Sequence, residues 1–539
     1  MNDAKCSFWQ RYVSSLSSDS KVGSVWKAIK TLSGKYSPND IPIKVNNTAI
    51  LSNLDKANIF AKEFAHISSN KNLPSNFMET RKATATSFLT NIDACIHSIP
   101  DMSSNALNLP FTPGELDFAL ENVNINSATG ADTISMQMLY HLPPVWKNEL
   151  LNIYNNCWNE GYLPATWNVA LITPILKSNS DKCSPSSYRP ISLTSAYSKV
   201  MEKMVAQRIS WYLESSNILN PIQAGFRKFH STIDHALRLK TEIENALSVG
   251  GITLAVFLDF SRAFDLVWSD GLLLKLLKYK IGGNCLNYIK NFLENRSAEV
   301  VVNGSHSTSF CPENGTPQGC VLSPILFLIF INDFPTLSKF TSSAIFADDS
   351  SVWRSGTNIR IITHHLQLDI AIIESWCTEW GFVLNIKKCT AVVFTRKKNV
   401  TTQLFLNNLP ITFANKFSFL GFMFDSHLTW SQHIDNIVQR SKSRINLLKC
   451  LSHNDWGSNR NVLLSVYRAM IRSIIDYGCV LYHSASPSLL KRLDSVQCSS
   501  LTLVTGAMRE LLCHLYYWNV MKCPFPCVEL GSSTSIWLK

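Results

Sequence analysis

Two aspartates stand side by side at Asp348 and Asp349, within Phe346–Ser350 (FADDS), and a third, Asp259, follows the apolar run Ile252–Leu258 (ITLAVFL). An adjacent carboxylate pair with a third carboxylate from an upstream strand is what nucleotidyl transfer through two divalent cations needs. That chemistry asks for charge neutralisation and in-line positioning more than for covalent work by the protein. Mg²⁺ takes hard oxygen ligands and draws only one or two protein carboxylates per ion, with phosphate and water completing the shell. Asp259, Asp348 and Asp349 fit that role. An Asp-Asp pair is also an ordinary turn dipeptide. Three carboxylates gathered without counter-ions, however, would repel and raise one another's pKa values, which counts against a purely structural grouping.

The surrounding pattern places these residues. Ser342–Ala347 is mostly apolar towards its end and Ser351–Trp353 resumes the apolar pattern, so the segment reads as a β-hairpin with the acidic pair at its tip. Ile252–Leu258 reads as a buried strand that delivers Asp259 at its end. Leu171–Lys177 (LITPILK) is an apolar strand ending in a lysine, and Tyr188–Leu193 (YRPISL) follows a Ser/Asp/Pro loop. Helical spacing is expected over Leu54–Phe64, over Leu116, Ala119, Leu120 and Val123, over Ala196–Leu213 and over Ile361–Trp380. Gln223–Leu239 reads as a basic turn running into a helix, and Phe382–Phe394 as a basic turn between two strands. In the last third, Ile434, Ile437, Val438, Ile445 and Leu448 recur at helical spacing, as do Leu463, Val466, Tyr467, Met470, Ile471 and Ile474. Gly478 suits a C-cap, and Ser486-Pro487 suits the N-cap and first position of a further helix. Residues 430–506 thus read as a small basic helical bundle.

With 539 residues the chain has room for about three or four domains. A hydrophobic content of 46% with 17% charged residues describes a globular protein rather than a disordered one. The formal net charge of +11 suits a polyanionic partner. The 15 cysteines follow no disulfide framework and read as reduced thiols of an intracellular protein. The opening MNDAKCSFWQRY has no apolar signal core. The longest apolar run, Cys320–Ile331, contains Ser323 and Pro324 and is too short to span a bilayer, so it reads as a core helix and no membrane partner is expected. Cys513, His514, Cys523 and Cys527 lack convincing zinc-ligand spacing.

Taken in order, YRPISL, QAGFRK (Gln223–Lys228), FLDFSRAFD (Phe257–Asp265), GTPQGCVLSPILF (Gly315–Phe327), FADD, NIKKCT (Asn385–Thr390), FLGFMFD (Phe419–Asp425) and SIIDYG (Ser473–Gly478) resemble the reverse transcriptases of jockey-like non-LTR (LINE-type) retrotransposons. A lone ADD would say little; eight blocks in the family's order are specific. The resemblance runs from about residue 110 to about residue 508. It implies an α+β right-hand polymerase with fingers, a palm of antiparallel sheet plus helices, and a helical thumb. The implied layout is a helical N-terminal extension or linker over 1–105, fingers and palm over 106–400, the end of the palm and the thumb over 401–508, and a divergent tail over 509–539 that has the character of a shifted reading frame.

Roles follow from the resemblance residue by residue. Asp259, Asp348 and Asp349 match the holders of two Mg²⁺ ions, with Mn²⁺ an alternative. Phe264 matches a bulky aromatic that would clash with a ribose 2′-OH and so favour dNTPs. Lys177 and Arg189 match basic residues gripping the triphosphate, one as a point charge and one as a bidentate fork. Gln318 and Gly319 match a turn against the nascent base pair, glycine allowing close backbone approach. Lys388 matches a general acid for departing pyrophosphate. Arg227, Ser323 and Pro324 match residues along the template path. Phe229 departs from the pattern, standing where relatives commonly have a small residue, and so does Asn126–Thr133 (NSATGADT), which is usually more basic.

The function implied is RNA-directed DNA synthesis during target-primed retrotransposition, with RNA template, DNA primer or target, and dNTPs as partners. The sequence opens in what resembles the family's linker, so an endonuclease acting in trans is expected, with the protein in nucleus and cytoplasm as a ribonucleoprotein. The alternative is a catalytically inactive, nucleic-acid-binding remnant of a degenerate element. A maturase-like or telomerase-like polymerase fits the motif wording less well.

Overall fold

The computed structural model describes residues 7, 11–12, 42–45, 48–89, 106–177, 180–452 and 458–506. Two compact units are present: Asn39–Asn415, and Lys416–Lys539 together with Met1–Pro38. The stretch 509–539, with its expected frame shift, lies outside the described residues.

The first unit begins with a hairpin, β1 (Ile43–Val45) and β2 (Thr48–Ile50), followed by the helix Asn53–Ile67. That helix starts where the Ser52 hydroxyl accepts from the Asp55 amide, and it turns Phe60, Ala61, Phe64 and Ile67 inward. They pack on Ile172, Ala298 and Val300 of a four-stranded sheet ordered β4-β3-β6-β7. Its strands are β3 (Val169–Leu176), β4 (Tyr188–Leu193), β6 (Ser297–Val302) and β7 (Ser305–His306). β3 runs antiparallel to β4 and parallel to β6. The expected strand over Leu171–Lys177 is therefore present, and Lys177 follows its last residue.

A second sheet carries the acidic residues. Its strands are β5 (Ile252–Asp259), β8 (Thr341–Phe346), β9 (Asp349–Gly356), β10 (Thr390–Thr395) and β13 (Thr412–Phe413), ordered β13-β10-β5-β9-β8, while β11 (Phe405–Leu406) and β12 (Leu409–Pro410) form a ribbon of their own. β5 is central, and Ile252 through Leu258 are all buried, as a continuous apolar run with neighbours on both edges requires. The neighbours β9 and β10 both run antiparallel to it. The helices Thr232–Ser248 and Ile359–Trp380 pack against this sheet. From the first, Glu242 accepts from the Ser342 hydroxyl (2.8 Å) and the Trp353 indole (2.7 Å), and His235 bonds the Ile345 carbonyl (3.0 Å). These contacts fasten the β8–β9 hairpin. The helix Ser323–Ile331 is buried almost all round, the core helix its composition demands. The helix expected around Leu116 is Pro113–Glu121; it closes at Asn122, so Val123 lies just past it. Among the described residues no helix is long and apolar enough to cross a membrane.

In the second unit, β14 (Lys416–Phe419) and β15 (Phe422–Asp425) form a hairpin ahead of the helices Ser431–Leu451, Arg460–Tyr467 and Pro487–Thr505. The first and last of these pack together. Ser486 is the N-cap of the last helix, with proline at its start, as the sequence signals. Gly478 takes the left-handed conformation.

Candidate active site

Two strand ends create the acidic site. Asp259 is the last residue of β5 and pairs in register with Asp349, the first residue of β9. Cross-strand partners on antiparallel neighbours share a sheet face, so these two carboxylates stand on one side. Phe346 pairs with Asp349, leaving Ala347-Asp348 as a two-residue turn. The acidic pair is thus split between turn and strand, where the sequence pattern had both residues at the tip. Ala347 has φ +57°, a sign that such tight hairpin turns demand and that L-residues resist.

The segment Gln223–Gly225 holds that turn in place. The Gln223 Oε1 accepts from the amides of Gly225 (2.7 Å) and Ala347 (3.1 Å), and the Ala224 amide donates to the Ile345 carbonyl at 3.0 Å. Gly225 lies so close that a Cβ there would stand 2.3 Å from the Ala347 nitrogen.

The three carboxylates oppose one another. Asp348 and Asp349 reach solvent, yet the walls withhold enough water to raise both pKa values, and Asp259 pushes each further in the same direction. Asp349, which also feels Asp348, rises to about 6. Lys388 supplies a counter-charge: its Nζ lies 3.5 Å from Asp259 Oδ2. It arrives there because the turn after Val383 is stitched to the end of β5. The Ser261 amide donates to the Val383 carbonyl (2.7 Å) and the Asn385 amide to the Asp259 carbonyl (2.8 Å). Among the described residues no group of three or more His, Cys, Asp or Glu side chains is drawn together closely enough to hold a metal ion. An open pair of carboxylate ligands is nonetheless the arrangement that leaves phosphate and water to complete an Mg²⁺ shell, and the mutual repulsion here is the field a cation would relieve.

A basic rim faces the acidic centre. Burial lowers the Lys177 pKa, and Arg189, Lys388 and Arg262 lower it further as like charges. Arg189 and Lys388 also act on Asp348 as opposite charges. Lys177 and Arg189 come from β3 and β4, and Lys388 from the turn before β10. Arg262, which the sequence reading did not single out, lies on the turn after β5 at φ +51°. Lys177 thus lies within reach of three further cations, and two of these, Arg189 and Lys388, act on the carboxylates as well, a grouping that suits a polyphosphate.

Gln318 and Gly319 lie against β4: the Gln318 carbonyl accepts from the Ser192 amide at 2.7 Å. Gly319 sits at φ +107°, and a Cβ there would come 2.8 Å from the Ser192 oxygen. Phe264 is partly buried and stacks on Phe327 with ring centroids 4.3 Å apart. Its other neighbour is the half-exposed Phe226, edge-on at 6.2 Å.

Two expected template contacts have other work here. The Arg227 Nε and Nη2 bind both oxygens of Glu214 (2.9 and 2.7 Å), and its Nη1 donates to the Asn220 and Gln223 carbonyls. Its guanidinium therefore braces the loop that carries Gln223. Ser323 is 2% exposed and its hydroxyl donates to the Pro317 carbonyl at 2.7 Å, which fixes the turn before its helix. Pro324 stands in the first helical turn, where a missing N–H costs nothing. The loop residue Phe229 is fully exposed at φ +63°, a backbone position that favours glycine. Glu202 escaped the sequence reading: fully buried, it accepts from the Val321 (2.7 Å) and Leu322 amides and the Ser198 hydroxyl, anchoring the turn that follows Gly319. Its only signal was a charged residue on the inward face of an amphipathic helix.

Residues 175–424, a stretch that includes every one of these residues, match the family described as reverse transcriptase (RNA-dependent DNA polymerase). That stretch is a reverse transcriptase domain, a polymerase fold of mixed α/β content. The similarity extends well beyond it. The chain is 27% identical over 497 residues to a probable RNA-directed DNA polymerase from transposon X-element of Drosophila melanogaster, covering 90% of this chain and 52% of that one. It is 26% identical over 507 residues to the RNA-directed DNA polymerase from mobile element jockey of the same fly, covering 92% and 54%. Along most of its length the chain is thus similar to RNA-directed DNA polymerases of jockey-like mobile elements. It spans about half the length of the curated relatives it matches. Among solved structures, a Candida tropicalis telomerase is 14% identical over 69% of this chain and 68% of that one, with a TM-score of 0.36, too low to argue from.

Proposed function

We propose that the chain is an RNA-directed DNA polymerase that extends a DNA primer on an RNA template by two-metal nucleotidyl transfer, as in target-primed retrotransposition. The observation that carries this reading is the pairing of Asp259 with Asp349 beside the Asp348 turn, facing the cations of Lys177, Arg189, Arg262 and Lys388. In this reading the sheet around β5 is the palm, the β3–β4 pair belongs to the fingers, and the Lys416–Gly506 unit is the thumb.

Asp259, Asp348 and Asp349 would hold two Mg²⁺ ions, which when bound neutralise phosphate charge and favour the alkoxide form of the primer 3′-hydroxyl. Lys177, Arg189 and Arg262 grip the triphosphate and align its α-phosphorus with the primer end. Phe264, held by Phe327, walls the sugar side and disfavours a 2′-hydroxyl. Gln318 and Gly319 lie against the nascent base pair. Lys388 is placed to give a proton to departing pyrophosphate. RNA template, DNA primer and dNTPs are the partners.

The test is extension of a DNA primer on an RNA template by purified protein with Mg²⁺ and dNTPs, beside Asp348→Asn. The wild type should extend and the variant should not, while both retain RNA. Removal of Mg²⁺ by a chelator should stop extension reversibly. Extension by the variant at the wild-type rate would refute the metal role. RNA binding without any extension by the wild type would instead mark a nucleic-acid-binding remnant.

A further inference from the structure

Asp265 has no part in the scheme above, yet its side chain contacts one that does. The Gln318 Nε2 donates to Asp265 Oδ1 at 2.8 Å. The backbone around the pair is equally constrained. The Thr316 amide donates to the Phe264 carbonyl (2.9 Å), the Gly315 amide to the Val267 carbonyl (2.8 Å), and the Asp265 amide to the Arg262 carbonyl (2.9 Å). Gly315 lies so tightly on Asp265 that a Cβ would stand 2.6 Å from its carbonyl oxygen. The turn after β5 and the Gly315–Gly319 loop are thus zipped together, with the Asp265–Gln318 pair at one end of the zip.

An amide donating to a carboxylate cannot flip without turning its own oxygen against a negative charge. The Gln318 carbonyl is fixed independently by the Ser192 amide. Side chain and main chain are therefore each pinned, by the turn that follows the strand ending in Asp259 and by β4, which carries Arg189. We infer that Asp265 is a positioning residue that sets the orientation of the Gln318 amide and, through it, the seating of the incoming dNTP. This rests on the polymerase reading for its consequence, though not for the contact itself.

The experiment uses the full chain as wild type, Asp265→Asn, Asp265→Leu, Gln318→Ala and the double variant Asp265→Leu/Gln318→Ala. Single-nucleotide insertion on an RNA template gives KM for dNTP and kcat separately. Asp265→Leu should raise KM roughly tenfold, the scale of one lost charge-assisted hydrogen bond, with kcat changed less. Asp265→Asn keeps an acceptor oxygen and should fall between Asp265→Leu and the wild type. In the Gln318→Ala background, Asp265→Leu should add less than about twofold, because residues acting through one contact do not add. Additive effects, or an unchanged KM in both Asp265 variants, would overturn the inference.

A readout independent of turnover is the Gln318 side-chain amide signal in ¹⁵N-glutamine-labelled protein, assigned by its loss in Gln318→Ala. In Asp265→Asn it should shift and exchange faster with solvent. An unchanged signal overturns the positioning role. A shifted signal in Asp265→Asn, together with a wild type that never extends a primer, would sink the polymerase reading and leave the contact standing. Should Asp265→Leu fail to fold, Asp265→Asn alone decides both readouts.

Discussion

Ala347 holds the acidic turn in a backbone conformation that costs a non-glycine residue about 1–2 kcal/mol. The structure keeps it there through Gln223 and through the bare Cα of Gly225. A methyl at 225 would meet backbone, with no flexible chain end to yield. Gly225→Ala should therefore lower stability by about 1–3 kcal/mol and displace Asp348. Thermal melting and primer extension would show a lower midpoint and greatly slowed extension with RNA binding retained; an unimpaired rate would mean the turn tolerates the displacement. Phe264 is the second informative residue. Its stack on Phe327 fixes the ring, so Phe264→Val should open the sugar side and raise ribonucleotide incorporation at least tenfold, at a stability cost of about 2 kcal/mol. The ratio of rNTP to dNTP insertion efficiencies checks this, and an unchanged ratio would remove Phe264 as the sugar gate.

Among the elements, the β14–β15 hairpin and the helix Ser431–Leu451 meet at His433. Its Nδ1 accepts from the Met423 amide at 3.3 Å, and its ring lies among Phe422, Trp430 and Tyr482. Burial, with Arg440 nearby, lowers its pKa from 6.5 to about 4. Between those values the unfolded chain takes up a proton that the folded unit refuses. Stability from this group is thus full above about pH 6.5 and is lost as pH falls towards 4, by up to roughly 3 kcal/mol. Urea unfolding of wild type and His433→Gln at pH 7 and pH 4.5 isolates the effect from carboxylates titrating in the same range. The variant should lose clearly less stability on acidification; equal losses would show that His433 is not the source.

Across the whole molecule, the net charge of +11 and the basic rim of the site predict binding to nucleic acid dominated by phosphate contacts. Affinity for single-stranded RNA, measured from 50 to 200 mM salt, should fall steeply, since each phosphate neutralised releases a condensed counter-ion. A flat response would place the binding energy elsewhere. Much of this organisation was legible in the linear chain. Adjacent carboxylates, an apolar strand ending in Asp259, and lysine or arginine beside Pro and Gly turns are local patterns, and the elements around them obey period and capping rules that need no partner. Less legible were residues whose meaning depends on a neighbour far along the chain. Asp265 looked like one more acidic residue in a motif until the loop carrying Gln318 folded against it. Glu202 looked like a polar interruption of a helix until the amides of Val321 and Leu322 met it.

What the sequence by itself determined was the acidic triad, the strands that end in it and the ordered blocks that carry the resemblance to reverse transcriptases, because residue type and spacing suffice where backbone periodicity does the positioning. Tertiary structure alone decided that Asp259 faces Asp349 in register, that Asp348 occupies a strained turn braced by Gln223, and that Arg227 and Ser323 are consumed by internal hydrogen bonds. It also decided that Lys177, Arg189, Arg262 and Lys388 converge. The physical reason is range: charge, hydrogen bonding and close packing act over a few ångströms in space, and the chain brings together residues that its order keeps far apart.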